Sequence, residues 1–456
     1  AGAGDIAFQS TLKGTSAGAE NLTLAAGTGN IAFTGAVGAT RLGAVLINSA
    51  GDVTESAGMT VASLTQVAGT GTTTLNAAVN TNTAQGVQLT GTNLAVNAGI
   101  TTTANGVVTV NESGTVVIAA AGDIIADGAV SVTAGGGIST AGDVTTTNDN
   151  VIFASATTLT GAVSIDTGAG AGDIAFQSTL KGTSAGAENL TIAAATGNIT
   201  FTGAVGATRL GAVLINSAAD VTESAGMTVA SLTQVAGTGT TTLNGSVNTD
   251  TVQGVQLTGT NLAVNAGITT TADGVVTINE SGTVVIAAAG DIAADGAVSL
   301  TAAGGISTAG DITTTNDNVT FVSPTTLTGA VAINTGSGAG TIAFNNTLDG
   351  SFSLNLTAGT GNIDFDAAVG SSSRLGAITV NSVTNLTADS TLRAASVSQV
   401  AGSGLTTFTG AVNTNASAGV SITGTNLVVS GGITTTANGG VTVNLSGSSP
   451  NGVATF

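Results

Sequence analysis

Apolar residues in this chain alternate with small or polar ones in short bursts, and the bursts recur. In NLAVNAGITTTANGVVTVNESG (93–114), Leu94, Val96 and Ile100 are followed by Val108 and Val110. In NIAFTGAVGATRLGAVLINSAG (30–51) the same places hold Ile31, Phe33, Val37, Val45 and Ile47. A period of two with β-branched enrichment predicts strands. The intervening TGNI, SAGD, ANG and ADG pieces predict turns, because Gly, Asn and Asp supply positive φ or local hydrogen bonds. No stretch shows helical periodicity.

Cut at these turns, the chain falls into units 30–51, 52–71, 72–92, 93–114, 115–136 and 137–157, then two less regular ones, 158–179 and 180–197. Each holds about 21 residues, the length of one supersecondary unit. A small polar residue or Gly opens each clean unit: Asn30, Asp52, Thr72, Asn93, Thr115, Gly137. Eight units make a longer period. Gly4-Asp5-Ile6 returns as Gly172-Asp173-Ile174 and as Gly340-Thr341-Ile342, 168 residues apart each time. The copies are 1–168, 169–336 and a divergent partial copy, 337–456. The first two differ by about nineteen substitutions, mostly of the kind Leu24 to Ile192 or Val110 to Ile278, with no insertion. The third lacks about four residues after Asp349.

A β unit this short cannot bury its own apolar face, but it can bury it against its neighbours. The expected fold is all-β: a parallel β-solenoid of about 21 residues per coil and about 22 coils, continuous over 1–456. Position 2 of every coil would stack on position 2 of the next, with Asn, Asp and Thr in ladders at the corners.

Composition removes rival classes. The 456 residues are 42% hydrophobic and only 7% charged, too apolar for a disordered chain. The mean hydropathy is +0.46, yet the run Val116–Ala121 already stops at Gly122-Asp123, far short of the roughly 20 residues of a spanning helix. An outer-membrane barrel carries aromatic girdles, and there is no Tyr and no Trp. With net charge −19 and six basic residues, no basic groove for nucleic acid can form. The absence of Cys excludes disulfides and thiolate sites. The sequence opens mid-repeat at Ala1 without Met and closes in GVATF with no polar cap. The expectation is a processed product or a segment of something longer, continued by more solenoid or by head-to-tail stacking.

The stretch GDIIADGAVSVTAGGGISTAGDVTT (122–146), aliphatic alternation broken by GD and GG, resembles filamentous haemagglutinin-type proteins, the giant β-helical adhesins of bacterial two-partner secretion. The resemblance runs along the whole chain, although the family's N-terminal secretion signature is not in this sequence. It implies a right-handed parallel β-helix, export across a Gram-negative envelope, and a fibrous adhesive or structural role outside the cell or on its surface.

Several residues are candidates for chemistry. Lys13 and Lys181, the only lysines, are replaced by Asp349 at the equivalent place of the third copy, so a solvated turn that tolerates charge reversal is expected. Arg41, Arg209 and Arg374 are expected in turns, paired with a carboxylate or carbonyl. Glu55 and Glu223 fall at an inward position, with Ala388 near the equivalent place. A lone buried carboxylate is expensive, so each needs either an outward bulge or a partner. Asn148-Asp149-Asn150 and Asn316-Asp317-Asn318, with Asp123, Asp143 and Asp291, are oxygen-rich enough for Ca²⁺, but lack calcium-roll or EF-hand spacing. Turn chemistry is the expectation, with Ca²⁺ the one cofactor left open. Thr101-Thr102-Thr103 and Thr145-Thr146-Thr147 suggest an ice-binding ladder, but the equivalent position in successive units reads Gly38, Thr60, Asn80, Thr101, so the ladder is interrupted. No residue is assigned as catalytic, cofactor-binding or metal-binding. The reading is a non-catalytic structural fibre, a filament or adhesin stalk, whose partners are further copies of itself and cell-surface glycans. The alternative is a β-helix that binds or cleaves polysaccharide.

Overall fold

A computed structural model describes residues 2–447 and the short strand Ala454–Thr455. The GVATF ending, expected to be uncapped, therefore lies largely outside the described residues. Backbone contacts group the chain into two compact units, Ala1–Ala230 and Ser231–Phe456. The described residues are all-β without a helix, and their parallel strands stack about 21 residues apart into a β-solenoid of about 21 turns, one fewer than the sequence count.

In the first unit most coils carry three short strands, such as Asn93–Val96, Ile100–Thr102 and Val108–Glu112. Each pairs in parallel with its counterpart one coil on: Leu94 with Val116, Ile100 with Ile124, Val108 with Val130. These are the expected unit positions. From Ile31 the position-2 column runs through Val53, Thr73, Leu94, Val116 and Ile138. Side chains alternate along a strand, so one face of each is sealed inside and the other meets solvent. Val and Ile fit this pleated, half-buried surface. Each fully buried side chain of this kind contributes about 1.5–3 kcal/mol.

Phenylalanines occupy one interior column. Phe153, Phe176 and Phe201 are in register and stack with ring centroids 5.2 and 5.6 Å apart and planes within 7°. The second unit has the same arrangement in Phe321, Phe344 and Phe365, at 4.7 and 5.5 Å.

The corners are held by side chains bonding to the next coil's backbone. Asp5 Oδ1 accepts from Asn30 N at 2.8 Å, Asn30 Oδ1 from Asp52 N at 2.8 Å, and Asp52 Oδ1 from Thr72 N at 2.7 Å. This is the expected ladder, and it satisfies amide groups that the turn leaves without a strand partner.

The longest strand of the first tile, Val37–Ser49, breaks the regular pattern. Its pairing runs from Val37 to Leu42 while its partner advances only from Met59 to Val61. The surplus residues bulge from Gly38, whose φ of +87° and position against Thr60 O admit no side chain.

Truncating an inward column residue should be costly and truncating an outward one should not. Phe176→Ala is expected to lower stability by about 3–5 kcal/mol, whereas the exposed Gln177→Ala stays within about 0.5 kcal/mol of the parent. Urea unfolding followed by circular dichroism measures both.

A candidate buried carboxylate site

The residues singled out in the sequence do not come together. Lys181 is exposed on the outer face of the strand Leu180–Gly182, not in a turn, and Lys13 is also exposed. Arg41 and Arg209 lie within the long strands Val37–Ser49 and Val205–Ser217, again not in turns. The expected carbonyl partners are present. Arg41 Nη1 donates to Val61 O at 2.6 Å and Asn80 O at 3.2 Å, and Arg374 Nη1 to Ala394 O at 3.0 Å and Asn413 O at 2.6 Å. The bulge explains this placement: where the ladder loses register, the guanidinium fork supplies donors to the carbonyls.

Among the oxygen-rich turns, Asp123 and Asp143 accept from the backbone N–H of Asp143 and Ser164, and Asn150 from that of Asp173. Asn318 and Asp291 do the same in the second unit, for Thr341 and Asp311. Burial and the charges of Asp273 and Asp295 raise Asp317 above its ordinary value. No group of three or more His, Cys, Asp or Glu side chains among the described residues is placed to hold a metal ion. The outward Thr ladder is broken as expected, running Thr60, Asn80, Thr101, Ile125.

Glu55 does point inward, in register between Phe33 and Leu75, and is 1% exposed. It has partners, the second of the two expected resolutions. The N–H groups of Ala57 and Ala77 donate to its carboxylate at 2.9 Å each, and that of Gly58 also does so. Glu223 is held likewise by Ala225 and Gly226. Burial raises the pKa of Glu55 while the amides pull it down, with burial the larger effect.

Glu112 and Glu280 are the acids the sequence reading missed. Each is 2% exposed, and neither carboxylate oxygen of either residue has a hydrogen-bond partner. They end the strands Val108–Glu112 and Val276–Glu280, one alternation beyond Val110 and Ile278. NESG resembles a turn, which hid them; continuing the period from Val108 through Val110 would have placed position 112 inside. Small neighbours make the room, since Glu112 is in register with Gly91 on one side and Ala134 on the other. No charged side chain lies on the strands around it, Met59–Gln66, Thr72–Leu75, Val87–Gly91, Asn93–Val96, Thr115–Ile118 and Val130–Ala134. Burial alone pushes Glu112 and Glu280 up to about 7.

Beside each acid sits a buried amide–hydroxyl pair. Thr73 Oγ1 donates to Gln66 Oε1 at 2.7 Å, and Thr241 Oγ1 to Gln234 Oε1 at 2.8 Å. A Cβ added to Gly91 would lie 3.0 Å from Glu112 Oε2 and 3.1 Å from Gln66 Nε2. Acid and amide thus face each other across a residue without a side chain, no more than about 6 Å apart. Gly259 stands in the same relation to Glu280 and Gln234, at 3.0 and 3.2 Å. The third copy retains the pair, with Thr406 Oγ1 donating to Gln399 Oε1 at 2.8 Å, but has Leu445 in register with Gly424 where the acid would stand. There Gln399 Nε2 donates to Thr423 O at 3.2 Å.

Compared with known proteins, the chain matches no family model, no curated protein and no solved structure.

Two predictions separate the two kinds of buried acid. A carboxyl whose pKa is raised by folding holds its proton where the unfolded chain has already lost it, so stability falls as pH rises from about 4.5 to about 7 and then levels. The loss is at most about 3 kcal/mol per glutamate. Glu112→Gln with Glu280→Gln should therefore flatten the fall in urea midpoint between pH 5 and pH 8, each protein being compared with itself. Glu55→Ala acts in the opposite direction. It strips acceptors from buried amides and should cost about 2–5 kcal/mol at neutral pH in the same assay.

Proposed function

We propose that this chain is a non-catalytic structural segment of a fibre, a filament or adhesin stalk, outside or on the surface of a Gram-negative bacterium. The observation that carries the reading is the way the tile varies. Between the first two copies, inward positions exchange one aliphatic residue for another: Leu24 for Ile192, Val110 for Ile278, Val132 for Leu300, Val144 for Ile312. Outward charge is exchanged freely, as in Asn82 for Asp250, and Lys181 for Asp349 in the third copy. What persists is the shape of the stack, which is what a fibre requires of its repeat.

The same coil-to-coil hydrogen bonding that pairs Leu94 with Val116 serves equally between one chain and the next, so head-to-tail association of copies, or further repeats, extends the fibre. The resemblance to secreted giant adhesins supports the extracellular location and leaves cell-surface glycans as the second class of partner.

Electron microscopy and fibre diffraction of native, unheated material test this. The expected result is filaments of constant width with a reflection near 4.8 Å along the fibre axis. Discrete particles with free ends, or recovery only from the cytoplasm, would overturn it.

A further inference from the structure

We propose that Gln66 with Thr73, and Gln234 with Thr241, form intramolecular ester cross-links, and that Glu112 and Glu280 transfer the proton that lets ammonia leave. The inference does not depend on the fibre reading.

The geometry comes first. Gln66 ends one coil's strand Met59–Gln66, and Thr73 is the second residue of the next coil's strand Thr72–Leu75. Their side chains meet inside, both at most 3% exposed, with the hydroxyl 2.7 Å from the amide oxygen. The carbonyl carbon is about 1.2 Å beyond that oxygen, so the nucleophile lies within about 4 Å of the atom it would attack. Holding the two groups this way supplies the proximity that makes a weak nucleophile and an unreactive acyl group combine. Five residues, Val67 to Gly71, separate the two strands and limit how far the groups can part.

An amide does not expel nitrogen unless that nitrogen is protonated, so the site needs an acid. Glu112 is the one residue nearby with a proton to move, and its carboxyl has no other partner. Its buried setting raises its pKa to about 7, so near neutral pH it holds a proton about half the time and can both give and take one. The missing side chain at Gly91 leaves the space through which carboxyl and amide nitrogen approach.

The step balances without a co-reactant. Thr73 Oγ bonds to Gln66 Cδ, and the Cδ–Nε2 bond breaks. The carboxyl of Glu112 gives its proton to the departing nitrogen and receives the hydroxyl proton of Thr73, so it ends as it began. The products are an ester and ammonia. Nothing is oxidised or reduced, and the closed interior keeps water from the ester. Each bond would tie the end of one coil to the start of the next, at equivalent places in the two tiles.

The third copy is a comparison built into the same chain. Gln399 and Thr406 sit as their counterparts do, but Leu445 replaces the acid, so no cross-link forms there.

Intact mass and peptide mapping of the full chain, purified near neutral pH, test the proposal. The expected mass is two ammonia short of the sequence, with Gln66–Thr73 and Gln234–Thr241 joined and Gln399–Thr406 free. Thr73→Val and Glu112→Gln each remove the first bond and leave the second, whose presence shows that the variant has folded. Thr73→Ser restores the first. The full sequence mass overturns the proposal. So does a deficit that maps to Asn105-Gly106, conversion of Gln66 to Glu by water, or a Gln399–Thr406 bond formed as readily as the others.

Discussion

Parallel hydrogen bonding in register from coil to coil is the constraint on which the rest of this structure depends. A residue has no choice of neighbour: it stacks on the residue about 21 positions before it and beneath the one about 21 positions after. A side chain therefore has to suit a column, not a site. Val108, Val130, Val151, Ile174 and Ile199 form one such column, all buried and in register. The same rule puts Asp5, Asn30 and Asp52 in line at a corner, each bonding to the backbone of the next coil. Lateral variety is cheap in such a fold and axial mismatch is not, because a misfit is felt by two neighbours at once.

Carboxylates show the rule under stress, and the chain meets it in two ways. Glu55 replaces a phenylalanine-like position in its column, and the turn beside it offers amide protons in place of water. Glu112 stands between Gly91 and Ala134 with room but no donors. Burial raises the pKa of both, but amide donors partly offset it at the first and nothing offsets it at the second, which rises to about 7. The third tile dispenses with both, using Ala388 and Leu445. Their retention in two tiles is thus not a requirement of the coil itself. That separates the buried acids from the aliphatic columns, which every tile needs.

The sequence disclosed the frame well because a solenoid writes its tertiary contacts as a period. The unit boundaries from Asn30 to Gly137 coincide with the observed register, and the inward alternation of Phe33, Val96 and Ile118 is seen directly. Local exceptions were less legible. Arg41 sits in a strand because a bulge opens carbonyls that only the pairing reveals. Lys181 was read as a solvated turn because the third copy carries Asp349 there, but an outward position in a strand tolerates that charge reversal equally well. Glu55 was marked as anomalous by its position, but its amide partners belong to the turn geometry and to the following coil. Glu112 was hidden because Asn, Ser and Gly around it outweighed the strand period. The Gln66–Thr73 pair was invisible for a different reason: neither residue is unusual, and only stacking brings them together.

The chain's lack of cysteine makes the register directly measurable. Gln88 and Thr109 are paired outward residues of adjacent coils, about 4.8 Å apart in a parallel ladder and so within disulfide range. Asn111, two residues along the same strand, is about 8 Å from Gln88 by the same spacing and lies outside it. Introduced in pairs under mild oxidant, Gln88→Cys with Thr109→Cys should close to a disulfide within the chain, and Gln88→Cys with Asn111→Cys should stay reduced. Closure of the second pair in preference to the first would contradict the register on which every column, and both buried acids, depend.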